Sequence, residues 1–473
     1  MSTTTQSKDR AKSRSHLGVL LATLFAIAAA LVILTGNRNG RAASDMINYH
    51  EPAIRTFAQQ WPHFDFKDYL SATTPGYHVV LATVARWVNP ATAALQFAGL
   101  LFAVRLIISL TTFGTSRVGK REGFALAAPF AASLYVFVSG AYLLPDNAGW
   151  LGVLLVLIVA LRQRQTWAWL VMGGVALAAL VFTRQIHLWA AAPLWAAAFF
   201  NPPNAHSANN DASPVLTTRF GAGLSAIFMT LPAFLVVGYF FKLWGGLTPP
   251  MFKDFHASGV NLAAPAFVLA LVGGLSPFFV RWWWPSLVDL HRSRRLVAPA
   301  VIVLGLALAL IPATTYDQHA GRWAGALWDV SRKLPTIAGR TSPVFVLLTP
   351  LGALAIASLL WGMSRERFAS AAVMLTALLA FTAAQAASYQ LWQRYNEPFV
   401  LMFIALACAM QAPGLPAAPL LRRAAWLPVL LALGFAAMTG WKVTHDGPAG
   451  KFEVLKPELQ EATTGSSGSA PSR

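Results

Sequence analysis

Residues 17–34 read LGVLLATLFAIAAALVIL, a run without a single charged side chain. A backbone in lipid must satisfy its own hydrogen bonds, and a helix of about 20 apolar residues does so while crossing roughly 30 Å of hydrocarbon. The run therefore predicts a membrane-spanning helix. Residues 1–16 before it are polar and basic, with Lys8, Arg10, Lys12 and Arg14, and no small-residue cleavage pattern follows. The stretch reads as an uncleaved first span with a cytoplasmic basic tail.

Similar runs recur as far as Gly440, and the 473-residue chain is 56% hydrophobic and only 11% charged. That composition predicts an all-α polytopic membrane protein. Spans are expected at 17–34, 91–110, 122–142, 148–161, 166–182, 186–200, 220–241, 260–280, 296–312, 342–361, 368–387, 396–411 and 424–440, thirteen in all. Gly76 to Val88 is apolar but short and follows Pro75, so it reads as a helix lying at the outer surface. With this alternation, basic residues such as Arg162, Arg164, Arg365, Arg367, Arg422 and Arg423 collect in cytoplasmic turns. The net charge of +18 is then explained by topology and anionic headgroups, and no nucleic-acid motif accompanies it. The Asn201 to Pro214 insert reads as a mobile cytoplasmic loop and residues 441–473 as a flexible outer tail. Cys408, the lone cysteine, offers neither a disulfide nor a metal set.

Between the first two spans lies DMINYHEPAIRTFAQQWPHFDFKDYLSATTPGYH, residues 45–78, where Asp45, Glu51, Asp65, Asp68, His50, His63 and His78 gather although acids are scarce elsewhere. This outer loop, 36–90, is the leading candidate for a working site, against the simpler reading of a solvated loop. Asp45 directly follows the first span. A carboxylate at a membrane surface can act as general base toward a sugar hydroxyl. His50, Glu51, Asp65 and Asp146 are candidates for tuning that base or binding the acceptor. For Asp146 a helix-capping role is an equal alternative. Arg184, in VFTRQIHLW, and Arg394, in QRYNE, are candidates for holding a phosphate through several donors. Interfacial snorkelling competes for Arg184, and pairing with Glu397 competes for Arg394. Gln185, His187, Asp317, His319, Arg322 and Tyr395 are candidate substrate contacts. The outer loop 313–340 reads equally well as an interfacial helix. Asp254 and His256 lack a third ligand, and the chain carries no Walker motif, dinucleotide fingerprint or nucleophile elbow.

The order of these features resembles membrane glycosyltransferases of the GT-C superfamily, in which a first-loop carboxylate, a Pro-containing juxtamembrane helix and a second span follow one another. Asp45, TTPGYH at 73–78 and the basic turn Arg117 to Arg121 carry that resemblance. More closely, Asp45, Tyr49-His50, Phe64-Asp65-Phe66, Thr74-Pro75-Gly76, Arg184-Gln185 and Arg394-Tyr395 resemble segments of the eukaryotic alpha-1,2-glucosyltransferase family that uses polyprenyl-phosphate glucose. The chain departs from that family at Met46, where the family has Glu, and lacks Pro after Asp65. The resemblance implies a GT-C-like transmembrane domain over 17–440, placed in the cell inner membrane with its site facing the periplasm. The implied donor is a polyprenyl-phosphate sugar, glucose among the candidates, and the acceptor a hydroxyl of a lipid-linked or envelope glycan. A divalent metal is compatible with the loop without being specified by it. The alternative from another class is a multi-pass transporter or flippase for a lipid-linked glycan.

Overall fold

The structure, a computed structural model, describes residues 3–203, 216–253, 259–314, 323–388, 390–411, 421 and 423–449. Among these residues eighteen α-helices follow in order: α1 Thr3–Leu34, α2 Gly40–Asp45, α3 Glu51–Gln60, α4 Gly76–Trp87, α5 Thr92–Val118, α6 Lys120–Ala132, α7 Leu134–Ala141, α8 Asp146–Ala160 and α9 Trp167–Thr183, then α10 Ala191–Phe200, α11 Leu216–Trp244, α12 Ala264–Leu275, α13 Val280–Ser293, α14 Val297–Leu310, α15 Ala326–Ser331, α16 Pro343–Ala386, α17 Gln393–Ala409 and α18 Leu427–His445. Most of the insert 201–214 and all of the tail from 450 fall outside the described residues, as do Asp254, His256, Asp317, His319 and Arg322.

Among the described residues six helices are long and apolar enough to cross a membrane: His16–Leu34, Thr92–Val118, Leu216–Trp244, Ala264–Ser293, Pro343–Ala386 and Ala424–His445. Counting the pair α6 and α7, bent by 66°, as one span makes seven. The chain is an all-α polytopic membrane protein, but the expectation of thirteen spans is corrected to six, or up to seven. An apolar run is not a helix of spanning length. The runs at 148–161, 166–182, 186–200 and 296–312 fold into helices of 15, 17, 10 and 14 residues, short of the ~20 that a bilayer requires. The runs at 342–361 and 368–387 fall in one 44-residue helix, interrupted where Arg367 leaves helical geometry at φ −141, ψ 58. The run at 396–411 belongs to the 17-residue α17, which opens on polar residues.

Helix α17 is the centre of the molecule. Every residue from Asn396 to Met410 is buried, as expected of a helix that is apolar on all sides beyond its first turn. Its first turn is preceded by a short parallel strand pair, Trp323–Ala324 with Leu391–Trp392. Trp328 Nε1 donates to Leu391 O at 2.8 Å, and its ring stacks on Phe267 at 4.8 Å. This aromatic wedge fixes where α17 begins. At Gly325, φ is +131 and a Cβ would meet Gln393 Cβ at 2.3 Å, so only glycine fits against the start of α17.

The first loop is fastened to the same end of the bundle. Thr74 Oγ1 donates to Val181 O at 2.6 Å, and a Cβ on Gly76 would meet Phe182 O at 2.7 Å. Helix α4 therefore starts in close backbone contact with the end of α9. That contact brings the 45–78 stretch beside Arg184.

Candidate functional site

The chain from Gly40 to Gln60 is helical throughout, but Met46–His50 forms a turn of π-helix between α2 and α3. A π-turn widens the helix by about one residue per turn and commonly marks functional positions. Asp45, just before it, reaches Arg394 at the start of α17, and Tyr49 within it packs on Phe252 at 5.7 Å, while Glu51 begins a fresh α-helical turn facing Arg55 and Thr92.

Four charged side chains from four parts of the chain meet at this point. Arg394 Nη1 donates to Asp45 Oδ2 at 2.6 Å. Its Nη2 and Nε donate to Asp146 Oδ2 at 2.7 and 3.1 Å. The other oxygen of Asp146, Oδ1, accepts from Arg184 Nη1. The result is an alternating line, Asp45–Arg394–Asp146–Arg184, two anions and two cations. Such a line is internally neutral, which is what permits its burial.

Exposure divides the line. The side chains of Asp45 and Arg394 keep 18% and 13% of their surface, whereas Asp146 and Arg184 keep 4% and 9%. Asp45 and Arg394 form the more exposed rim of the line, and Asp146 and Arg184 its floor. Asp146 heads α8, and its carboxylate turns to the arginines instead of capping the helix. Burial pulls the Arg184 guanidinium down to about 10, so it remains cationic at neutral pH.

Aromatic faces meet the cations. Arg184 lies 5.1 Å from the Tyr395 ring centroid, Tyr395 stacks on Trp392 at 5.5 Å, and Arg41 covers Trp392 at 4.2 Å. Contacts of this kind hold guanidinium planes in place at partly dry sites. Arg41 and Trp392 were not singled out from the sequence. The spacing of Arg41 and Asp45, four apart on α2, was the available signal.

Beside the line, His50 Nδ1 and His78 Nε2 are 2.9 Å apart with their rings stacked at 18°. Burial, then Arg394 and Arg184, push the His50 pKa down to about 3. Burial and His50 likewise hold His78 well below the usual range. Both histidines are therefore neutral at neutral pH. His187 lies on the other side of Arg184, buried against Trp150 at 4.8 Å, and is also held neutral by burial and by Arg184.

The remaining candidates lie elsewhere or act on the frame. Glu51 accepts from Arg55 Nη2 at 2.6 Å and from Thr92 Oγ1 at 2.6 Å, which ties α3 to the head of α5. Asp65 is exposed and accepts from Lys67 N at 2.9 Å within its own turn. Gln185 accepts from Thr74 N and donates to Ala72 O and Leu247 O, clamping the loop end beside Arg184. Glu397 does not pair with Arg394. It accepts from Ser133 Oγ and Gln393 Nε2, each at 2.6 Å.

Among the described residues no group of three or more His, Cys, Asp or Glu side chains is placed to hold a metal ion. His50 and His78 turn their ring nitrogens to each other, and Asp45 and Asp146 are occupied by arginines. The described residues around the charged line do not fit a divalent centre.

No family model matches the chain, and no curated protein matches it. Among solved structures it is similar to ArnT from Cupriavidus metallidurans in the apo state, at 13% identity over 82% of this chain and 76% of that one, with a TM-score of 0.34. It is similar in the same measure to ArnT from Cupriavidus metallidurans bound to undecaprenyl phosphate, at 14% identity, 82% and 76% coverage and a TM-score of 0.34. At that distance the functional reading rests on the site itself.

Proposed function

We propose that the protein is a membrane glycosyltransferase that moves a sugar from a polyprenyl-phosphate donor to a hydroxyl of a lipid-linked or envelope glycan, with its site facing the periplasm. The observation that carries this reading is the Asp45–Arg394 pair at the more exposed rim, backed by a buried Asp146–Arg184 floor. A carboxylate for proton abstraction and a guanidinium for a phosphate stand side by side at the membrane end of an apolar bundle.

In this reading the donor phosphate takes the Arg394 Nη1 donor that Asp45 now accepts, because a phosphate offers more charge and more acceptor oxygens than one carboxylate. Asp45 is thereby released. It accepts the proton of the acceptor hydroxyl as the hydroxyl oxygen bonds to the anomeric carbon. The bond from that carbon to the phosphate oxygen breaks, and its electron pair leaves with the polyprenyl phosphate, steadied by Arg394. One displacement inverts the anomeric configuration. Asp146 keeps the Arg394 plane fixed through both of its remaining contacts, and Arg184 pairs with the other oxygen of Asp146 beneath it.

The test is sugar transfer by the purified full chain in lipid, with a panel of polyprenyl-phosphate sugars and glycan acceptors, comparing it with folded Asp45→Asn. Transfer that falls by about 10²–10⁴-fold in the variant supports Asp45 as base. Transfer unaffected by the substitution removes Asp45 from that role. No transfer with any donor, together with movement of a lipid-linked glycan across the bilayer, replaces the transferase by a transporter.

A further inference from the structure

At the end of the bundle away from Asp45 three more arginines converge. Helix α5 starts at Thr92, beside Glu51, and reaches Arg117 after 25 residues, about 38 Å at 1.5 Å per residue. Helix α8 starts at Asp146, and Arg162 follows its last turn. Arg367 occupies the break in α16. The guanidinium of Arg117 lies within electrostatic reach of both Arg162 and Arg367.

These three are held but not neutralised. Arg117 lies over Phe113 at 5.3 Å, Arg162 over Trp169 at 3.7 Å, and Arg367 Nη1 contacts Met410 Sδ at 3.6 Å. All three are half-buried, and none enters an ion pair among the described residues. The contrast is local. At this same end Glu122 pairs with Arg281 and Asp289 with Arg365, so carboxylates are supplied where pairing is used. Three cations gathered from three helices repel one another, and partly buried repulsion of this kind is relieved by an anion.

An apolar groove of about 470 Å³ adjoins them, lined by Trp195, Phe199, Phe200, Phe220, Leu224 and Ile227 among others. Phe200 meets Phe368, the residue after Arg367, at 5.6 Å. Asn201 Nδ2 donates to the carbonyl of Arg162 at 3.2 Å. The backbones of Arg162 and Arg367 thus lie beside the Phe200 end of the groove. Phe220 and Leu224 are 60% and 56% exposed, so the groove opens sideways, where a bilayer supplies chains.

We propose that Arg117, Arg162 and Arg367 bind the phosphate of an anionic glycerophospholipid whose acyl chain lies in the groove between α10 and α11. The site is at the membrane face opposite Asp45 and is independent of the sugar chemistry there. The groove selects a lipid over free phosphate, and the arginines select an anionic head over a zwitterionic one.

The test uses the full chain in micelles, with phosphatidylglycerol, phosphatidylcholine or inorganic phosphate as the probe, read by retained lipid in native mass spectrometry and by thermal midpoint. The expected result is preferential retention and stabilisation by phosphatidylglycerol. Retention falls at least tenfold in Arg162→Gln, a loop position, and in the triple Arg→Gln variant. It persists in the triple Arg→Lys variant. Gly223→Leu is the second arm. A Cβ at Gly223 meets only Phe199, at 3.7 Å and beyond, so leucine fits there and fills the groove. That variant is expected to lose phosphatidylglycerol while keeping its fold. Equal retention of both phospholipids, equal stabilisation by inorganic phosphate, or undiminished retention in Arg162→Gln and Gly223→Leu overturns the proposal.

Discussion

Arg394 Nη1 stands 2.6 Å from Asp45 Oδ2, joining residues 349 positions apart. This bond closes the first loop onto the first turn of the central helix, and it is the most solvent-accessible link in the charged line. A ligand that takes over either side chain must break it. The same pair therefore sets the resting geometry of the site.

Arg394 offers its two acidic neighbours three donors in one plane, and lysine cannot reproduce that fork. Arg394→Lys is expected to lower the transfer rate constant by roughly 10²-fold, the scale of losing a preorganised donor to a developing charge. Single-turnover measurement at saturating donor checks this. An unchanged rate would place the phosphate elsewhere.

Asp146 is the anion shared by both arginines. Asp146→Asn leaves Arg184 buried without a counter-charge and is expected to cost about 3–5 kcal/mol. Asp45→Asn removes an anion at the wetter rim and is expected to cost about 1–2 kcal/mol. Denaturation of both variants in the same lipid mixture orders the two effects, and the reverse order would contradict the rim-and-floor division.

His50 sets a direction for pH dependence. Burial, then Arg394 and Arg184, hold its pKa down to about 3 in the folded protein, below the usual imidazole value of about 6.5. The folded state binds fewer protons than the unfolded state between those values, so stability is full above pH 6.5 and falls as pH drops toward 3. The slope per histidine is about 1.4 kcal/mol per pH unit. Thermal midpoints from pH 8 to pH 4.5 are expected to fall in wild type. The fall should be shallower in His50→Gln.

Glu51 ties α3 to α5 through Arg55 and Thr92 and does not join the charged line. Glu51→Ala is expected to lower stability by about 1–2 kcal/mol through loss of these hydrogen bonds, while the folded variant retains transfer within about threefold of wild type. Loss of transfer at unchanged stability would return Glu51 to the site.

The apolar runs alone specified a helical membrane protein, because hydrocarbon leaves a chain of this composition no other way to satisfy its backbone. The gathering of otherwise scarce acids in the first loop singles out Asp45, the turn after Pro145 singles out Asp146, and arginines set against apolar runs single out Arg184 and Arg394. Tertiary structure decided how many runs become spanning helices, since helix length depends on where Arg367, Ser133 and the short turns interrupt the hydrogen-bond ladder. It also decided which polar residues meet. Asp45 and Glu51 are near neighbours in sequence, yet on either side of the π-turn one reaches Arg394 and the other Thr92. Pairings such as Asp45 with Arg394 follow from the packing of α2, α8 and α17 around one point, a long-range arrangement that residue order and hydrophobic periodicity do not encode locally.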